Sequence, residues 1–486
     1  MNKKILSIII IALLLAGCML GPDYKRPGID SPKNWRIEEK ESKDTVNTAW
    51  WQQFDDPILN DLIDIALKEN KDVKIAAARV EQFLGQYGTT RAALFPQVAA
   101  SGTGGRGRAT ESGPVPITAG VENPADNYQA SLYGSWEIDL WGKLRRSTEA
   151  ARANLLASEE GRRAVVLTLV ASVSSAYVNL RDLDKQLDIA EETSRIRGEG
   201  YKIFKRRFEG GVVSELELSQ VKSQYEQAQA TIPEIQKAIA QQENAMSVLL
   251  GRNPGPIPRG KSIDDLTLPA VPEGMPSDLL ERRPDIRQSE QTLIAANAQI
   301  GVARSLYFPT ISLTGLFGWS SKDLSDLFTG PAKVWSYAGN VTLPVFTAGA
   351  IAGQVKTAEA LQQQALVSYQ QTVQTAFREV DDSLVDQRRT REKLEAQLRQ
   401  VDALRKYART ARLRYENGYT SYIEVLDAER SLFDAELQYA QTQAVLFQAF
   451  VNLYKAMGGG WVVEADMKTG TAKSGKDLTS EAVFFP

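Results

Sequence analysis

Hydrophobic and polar positions along this chain change period several times, and each change marks an element. Tyr128, Ala130, Leu132, Gly134, Trp136 and Ile138 alternate with Gln129, Ser131, Tyr133, Ser135 and Glu137. The same alternation, in the same phase, recurs at Trp335, Tyr337, Gly339, Val341, Leu343 and Val345. It recurs again at Ile311, Leu313, Gly315, Phe317 and Trp319, with a weaker version at Val98, Ala100 and Gly102. Period two over about ten residues, with aromatics near the ends, predicts membrane strands with one lipid face and one wet face. The strands fall at about 96–108, 127–140, 309–320 and 334–347, as two hairpins with long polar loops. About eight strands are needed to close a transmembrane barrel, so four predict a barrel shared between chains.

Between the hairpins the period is helical. No proline lies between Pro124 and Pro233, or between Pro344 and Pro486. Gly142 to Phe208 and Gly353 to Arg414 predict helices of about 100 Å and about 90 Å. Val373, Phe377, Val380 and Leu384, then Leu394, Leu398, Val401, Leu404, Ala408, Ala411 and Tyr415, follow coiled-coil spacing. Each long helix stops at an equivalent turn, Glu209-Gly210-Gly211 or Glu416-Asn417-Gly418, where glycine or asparagine suits a left-handed C-cap. Ser214 with Glu217, and Ser421 with Glu424, are spaced as capping boxes for the returning helices. The expectation is two antiparallel helical hairpins with tight, charged tips pointing away from the strands.

The two halves are copies of one unit. Gly88 to Gly102 matches Gly301 to Gly315 at a constant offset of 213. Gly142 matches Gly349, and RFEGGVVSELE (Arg207 to Glu217) matches RYENGYTSYIE (Arg414 to Glu424), at an offset of 207. A repeat of about 200 residues is too long for a solenoid. It suggests a pseudo-symmetric wall rather than a catalytic pocket.

Composition narrows the chemistry. The 486 residues carry a net charge of -3, one cysteine and no histidine. This balance gives no electrostatic footprint for nucleic acid. Histidine-based acid–base catalysis, His/Cys metal sites and an intramolecular disulfide are excluded. The cysteine ends a short apolar run (Ile5 to Ala16) that follows Lys3 and Lys4 and closes on Leu15-Ala16-Gly17-Cys18. Such a run reads as a secretory signal core. Its ending resembles a bacterial lipoprotein signal, in which Cys18 is acylated as the mature N-terminus. No later run of about 18 apolar residues is evident. Gly255 to Ser262 matches GxxxxGK[ST], but it follows a helical stretch and precedes Pro269, Pro272 and Pro276, the wrong setting for a phosphate loop.

LAGC, GPDYKRP (Gly21 to Pro27), DLWGK (Asp139 to Lys143), ERRPDI (Glu281 to Ile286), YFPTISLTG (Tyr307 to Gly315), EVLDAERSLF (Glu424 to Phe433) and LYKAMGGGW (Leu453 to Trp461) together carry a resemblance. The chain resembles the TolC-like outer membrane factors, in their NodT-type lipoprotein branch. The resemblance implies a mainly α fold with a transmembrane β-barrel, four strands per chain and 12 in a homotrimer. A long helical tunnel would cross the periplasm, with an equatorial region drawing on the N-terminal arm, the linker and the tail after Gly459. No catalytic residue, cofactor or metal is implied. The implied organisation is signal peptide 1–17, lipidated arm 18–55, repeat 56–251, Pro-rich linker 252–276, repeat 277–459 and tail 460–486. The implied partners are a periplasmic adaptor, an inner-membrane transporter of the resistance–nodulation–division class and outer-membrane lipid.

Adaptor contact would fall on the tips: Glu209, Gly210, Gly211 and Ser214, with Glu416, Asn417, Gly418 and Ser421. The family's periplasmic gate corresponds here to Ile423, Asp427 and Arg430. Their i,i+4 and i,i+3 spacings place them near one helix face, whereas the first repeat has Gln220 and Ser223 where the second has Asp427 and Arg430. A protein-secretion duct of the same fold and a non-channel coiled-coil lipoprotein scaffold are the alternatives. An exported hydrolase is disfavoured because no carboxylate pair sits beside a cleft-like signal.

Overall fold

Most apolar strand residues gather on one face of a single sheet in the computed structural model, which describes residues 19–32, 34–37, 48–112, 122–272 and 276–470. Strands β1 (Gln97–Gly107), β2 (Ala125–Ile138), β3 (Thr310–Ser321) and β4 (Lys333–Thr342) form one antiparallel sheet in sequence order. Directly paired residues share a face. Leu132 stands opposite Ala100 and Phe317, Trp136 opposite Leu313, and Phe317 opposite Trp335. The apolar sets of all four strands therefore form one surface. The other face carries Ser101, Thr103, Ser131, Ser135, Ser312, Thr314, Ser336 and Asn340. Strands β1 and β4 have no partner on their outer edges among the described residues.

The helices stand on one end of this sheet. In chain order they are α1 (Pro57–Glu69), α2 (Lys71–Ala92), α3 (Lys143–Glu209), α4 (Glu215–Leu249), the short α5 (Leu279–Arg282), α6 (Pro284–Ser305), α7 (Ala350–Glu416), α8 (Tyr422–Met457) and α9 (Trp461–Lys468). Helices α3 and α7 each have 67 residues, about 100 Å of rise. The α3–α4 and α7–α8 hairpins lie side by side through α3 and α8. Val373, Val380, Leu384, Val401 and Ala411 of the α7 seam are buried, whereas Leu398 is left exposed. One stretch of α3 is long and apolar enough to cross a membrane, contrary to the expectation from sequence, but more than half of it is buried inside the protein. It forms the core of an equatorial belt rather than a span.

That belt joins distant segments. Trp50, Trp51 and Phe54 from the arm, Ile257, Ile263 and Leu266 from the linker, and Trp461 and Val462 from α9 close on Tyr177 of α3 and Tyr454 of α8. The Trp50 ring stacks on Tyr454 at 5.0 Å and meets Trp461 edge-on at 6.0 Å. The phosphate-loop lookalike is used here. Asp56 is fully buried and accepts hydrogen bonds from Tyr177 Oη (2.6 Å), the Lys261 amide (2.9 Å) and the Ile58 amide (2.9 Å). A Cβ at Gly260 would lie 2.1 Å from Asp56 Oδ1, so the glycine lets the linker close on the carboxylate. The amides of this motif serve an internal anion.

The ERRPDI and MGGGW motifs meet in the same way. Buried Arg283 donates to the Ala456 carbonyl (2.9 Å) and pairs with Asp285 (2.6 Å) and Glu379 (2.8 Å). The GPDYKRP arm docks along α6. Asn297 Nδ2 donates to the Pro22 carbonyl (2.8 Å), Tyr24 Oη donates to Glu290 (3.0 Å), and buried Arg146 pairs with Asp23 (2.6 Å). The arm thus ties α3 to α6 just below the sheet.

Candidate functional site: the hairpin tips and the base of the sheet

The features that carry function lie at opposite ends of the long helices. At the tips, both turns close alike. Gly211 and Gly418 take φ of +72° and +75°. The Val212 amide donates to the Arg207 carbonyl and the Tyr419 amide to the Arg414 carbonyl, each at 2.8 Å. This double closure satisfies the last carbonyls of α3 and α7. Gly210 and Asn417 stay at negative φ (-84° and -94°), so only the second glycine of one turn and the only glycine of the other take the left-handed position.

The returning helices start differently. At α4 the Ser214 hydroxyl accepts from the Glu217 amide (3.2 Å), and the Glu217 carboxylate accepts from the Ser214 amide (2.9 Å), a complete capping box. At α8 the expected second box does not form, since the Ser421 side chain makes no cap bond. The Glu424 carboxylate instead accepts from Thr420 Oγ1 and approaches Arg414 Nη1 at 3.5 Å. The Thr420 hydroxyl, which stands where the first tip has Val213, draws the glutamate away with Arg414 beside it, whereas the equivalent Arg207 is engaged by Tyr415.

An aromatic cluster pins the two tips together. Phe204 lies 4.2 Å from Tyr422 and 6.2 Å from Tyr415, and Arg207 Nη1 donates to Tyr415 Oη at 2.9 Å. Burial pushes the Tyr422 hydroxyl up to about 12, with Glu429 adding to the shift. Just above, Arg197 is buried, stacks on Phe433 at 5.1 Å and donates to the Gln224 carbonyl at 2.9 Å. It joins α3, α4 and α8, and burial lowers its pKa. Sequence reasoning missed Arg197, because an arginine in a charged helical stretch carries no sign of burial.

The remaining tip residues are outward. Glu209, Gly210, Gly211, Ser214, Glu416, Asn417, Gly418 and Ser421 are all exposed. Beside them Val212 and Tyr419 present apolar side chains 74% and 77% exposed. Ile423, Asp427 and Arg430 share one exposed face of α8, opposite the buried Tyr422, Val425 and Ala428. Arg430 Nη2 donates to Asp427 Oδ1 at 2.7 Å, with both side chains about half exposed. An exposed ion pair of this kind contributes at most about 1 kcal/mol to the fold of one chain.

At the other end, aromatic side chains gird the base of the sheet. Trp136 Nε1 donates to the Leu94 carbonyl (3.0 Å), Trp141 Nε1 donates to the Pro309 carbonyl (2.8 Å), and Trp141 packs on Phe308 at 4.9 Å. The Leu20 amide donates to the Trp141 carbonyl at 3.1 Å, and Met19 lies against Gly142. Cys18 itself lies outside the described residues. No group of His, Cys, Asp and Glu among the described residues could hold a metal ion.

An amphipathic sheet standing on a helical wall that extends about 100 Å from the membrane is the architecture of an outer-membrane exit channel. The chain belongs to the outer membrane efflux protein family, whose model matches residues 62–252 and 275–459. It is 37% identical to the probable efflux pump outer membrane protein TtgC of Pseudomonas putida, over 95% of this chain and 96% of that protein. It is likewise 37% identical to the probable outer membrane lipoprotein SilC of Salmonella typhimurium, over 94% and 99%. The structure superposes on the Campylobacter jejuni CmeC outer membrane channel with a TM-score of 0.86 at 28% identity, covering 96% and 98%. The family is one of transport channels rather than enzymes, and this chain is an outer-membrane efflux channel with a large periplasmic part.

The unequal caps have a measurable consequence. Ser214→Ala removes a complete box worth about 1 kcal/mol, so amide exchange in the first turn of α4 should rise about fivefold. Ser421→Ala, which removes no cap bond, should leave exchange in the first turn of α8 within error of the native rate. Hydrogen-exchange mass spectrometry on tip peptides compares the two.

Proposed function

We propose that three copies close a 12-stranded barrel and a continuous helical tunnel, which passively conducts substrate to the exterior and performs no chemistry. The unpaired outer edges of β1 and β4, on a sheet with an apolar face, carry this reading, because lipid tolerates no open edge. Substrate would enter from an inner-membrane transporter of the resistance–nodulation–division class through a periplasmic adaptor. The exposed Val212 and Tyr419, beside the charged tips, suit the adaptor contact.

The gate would be the α8 face of Ile423, Asp427 and Arg430. In one chain this face has no packing role, so its aspartate–arginine pair is free to meet its copies around an axis. Three copies would bring their aspartates into a ring that favours cations when open and pairs with the arginines when shut. The first hairpin carries Gln220 and Ser223 at the corresponding positions, which supports a movable constriction on the second hairpin. In planar bilayers Asp427→Ala with Arg430→Ala should raise single-channel conductance, whereas Gln220→Ala with Ser223→Ala should leave it near the native value. Equal increases would remove the gate from α8, and no conductance by the native protein would remove the channel reading.

Lipid would be attached at Cys18. Met19 rests on Gly142 at the base of β2, so an acyl group on the preceding residue would enter the inner leaflet beside the aromatic girdle. Cys18→Ser should abolish incorporation of a palmitate analogue while the barrel still partitions with the membrane. Label retained on that variant would refute lipidation at Cys18.

A further inference from the structure

Where the chain repeats, its contacts repeat. The pairing Gln97↔Ser135 of the first hairpin, moved by 213 and 207, is the pairing Thr310↔Thr342 of the second. The two hairpins therefore share one register to the residue. The contact between the halves, β2 against β3, has no second instance within one chain. Moved by the same offsets, β2 becomes β4 and β3 becomes β1, so the missing instance is β4 of one copy against β1 of the next.

We propose that this contact forms antiparallel in the register set by the repeat. Val341 stands opposite Gly102 of the next copy, Gly339 opposite Gly104, Ala338 opposite Gly105 and Tyr337 opposite Arg106. The proposal rests on the closed-oligomer reading and adds to it which residues meet.

Three observations support the register. The first is parity. A one-residue slip would turn one strand's apolar set toward the wet side. The proposed register puts Val341, Gly339 and Tyr337 on the same face as Gly102 and Gly104, the face that carries Leu132 and Phe317.

The second is Gly105. Its counterpart Gly318 must be glycine, because a Cβ there would stand 2.3 Å from the Ala130 carbonyl oxygen and 2.6 Å from Ser131 Cα. Gly105 has nothing within 4 Å in a single chain. The proposed register sets the Tyr337–Ala338 backbone of the next copy against it, as Ala130–Ser131 is set against Gly318.

The third lies lower on the wall. Helix α3 buries Glu160 against Arg287 of α6 (2.8 Å), and Gln288 fills the space over Gly161. Moved by the same offsets, these two contacts become Val367 of α7 with Lys74 of α2, and Ser368 with Ile75. Val367 and Ile75 are apolar and more than half exposed in one chain, at 52% and 59%. The same symmetry operation that pairs the strand edges brings Val367 and Ser368 of one copy to Lys74 and Ile75 of the next.

Oxidative cross-linking of cysteine pairs tests the register, and Cys18 is the only native thiol. Ser101→Cys with Thr342→Cys, and separately Gly102→Cys with Val341→Cys, cover the two alternating pair geometries. At least one should give a dimer and trimer ladder that reductant removes. Thr103→Cys with Thr342→Cys is two residues out of register, beyond the reach of a disulfide, and should lose the ladder. Ile75→Cys with Ser368→Cys should cross-link without altering a strand. Gly105→Val should lower trimer yield sharply, whereas Gly107→Val, whose counterpart is Ser320, should not.

The mass of the native protein in mild detergent separates the outcomes. A trimer that cross-links only in the shifted pair, or in none of the matched pairs including the helical one, overturns the register but leaves the channel reading standing. A native monomer overturns both.

Discussion

Every peptide group inside a membrane needs a hydrogen-bond partner, and a four-stranded sheet leaves two edges without one. That constraint organises the rest of the molecule. In the proposed trimer other copies complete the strands, and the completed ring fixes an axis. The helices, each continuous with a strand end through Gly142 or Gly349, must then stand around that axis as a wall. The proposed wall would enclose space because it is one layer thick, built on alanine-rich seams rather than a globular core. At the equator, where the arm and α9 add tryptophans and the linker adds Ile257, Ile263 and Leu266, the layer thickens into a buried core. The belt holds the long helices together at mid-height.

Duplication relates the two halves, and the tips are where they diverge. The two turns share one backbone closure, but the helices that leave them begin differently. Helix α4 has a complete capping box and the neutral Gln220 and Ser223 at the positions of the aspartate–arginine pair. Helix α8 lacks the serine cap, diverts its glutamate to Thr420 and Arg414, and sets an aspartate–arginine pair on its outward face. A gate needs an element whose arrangement is weakly determined by its own chain. An uncapped helix with an exposed ion pair fits that need better than its capped counterpart.

Much of this is legible in the sequence because the relevant patterns are local. Alternation at Tyr128–Ile138 and Ile311–Trp319 marks strands and also which face each side chain takes. The glycine turns give the ends of α3 and α7, and the two offsets relate the halves. The features that are not legible depend on which of several partners a side chain meets once the chain is folded. Ser421 and Glu424 have the spacing of a capping box, and only the approach of Arg414 and Thr420 decides otherwise. Arg197 reads as one more exposed cation until Phe433 covers it. The GxxxxGK[ST] match fails on its local context, but its internal partner, the buried carboxylate of Asp56, lies about 200 residues earlier and leaves no local trace.

Amide hydrogen exchange in lipid nanodiscs tests the edge constraint most directly. If copies complete the sheet, peptides from β1 and β4 should be protected to the same degree as peptides from β2 and β3, which are paired on both sides within one chain. Rapid exchange confined to β1 and β4, with β2 and β3 protected, would mean that the edges stay open and that the account of a shared barrel is wrong.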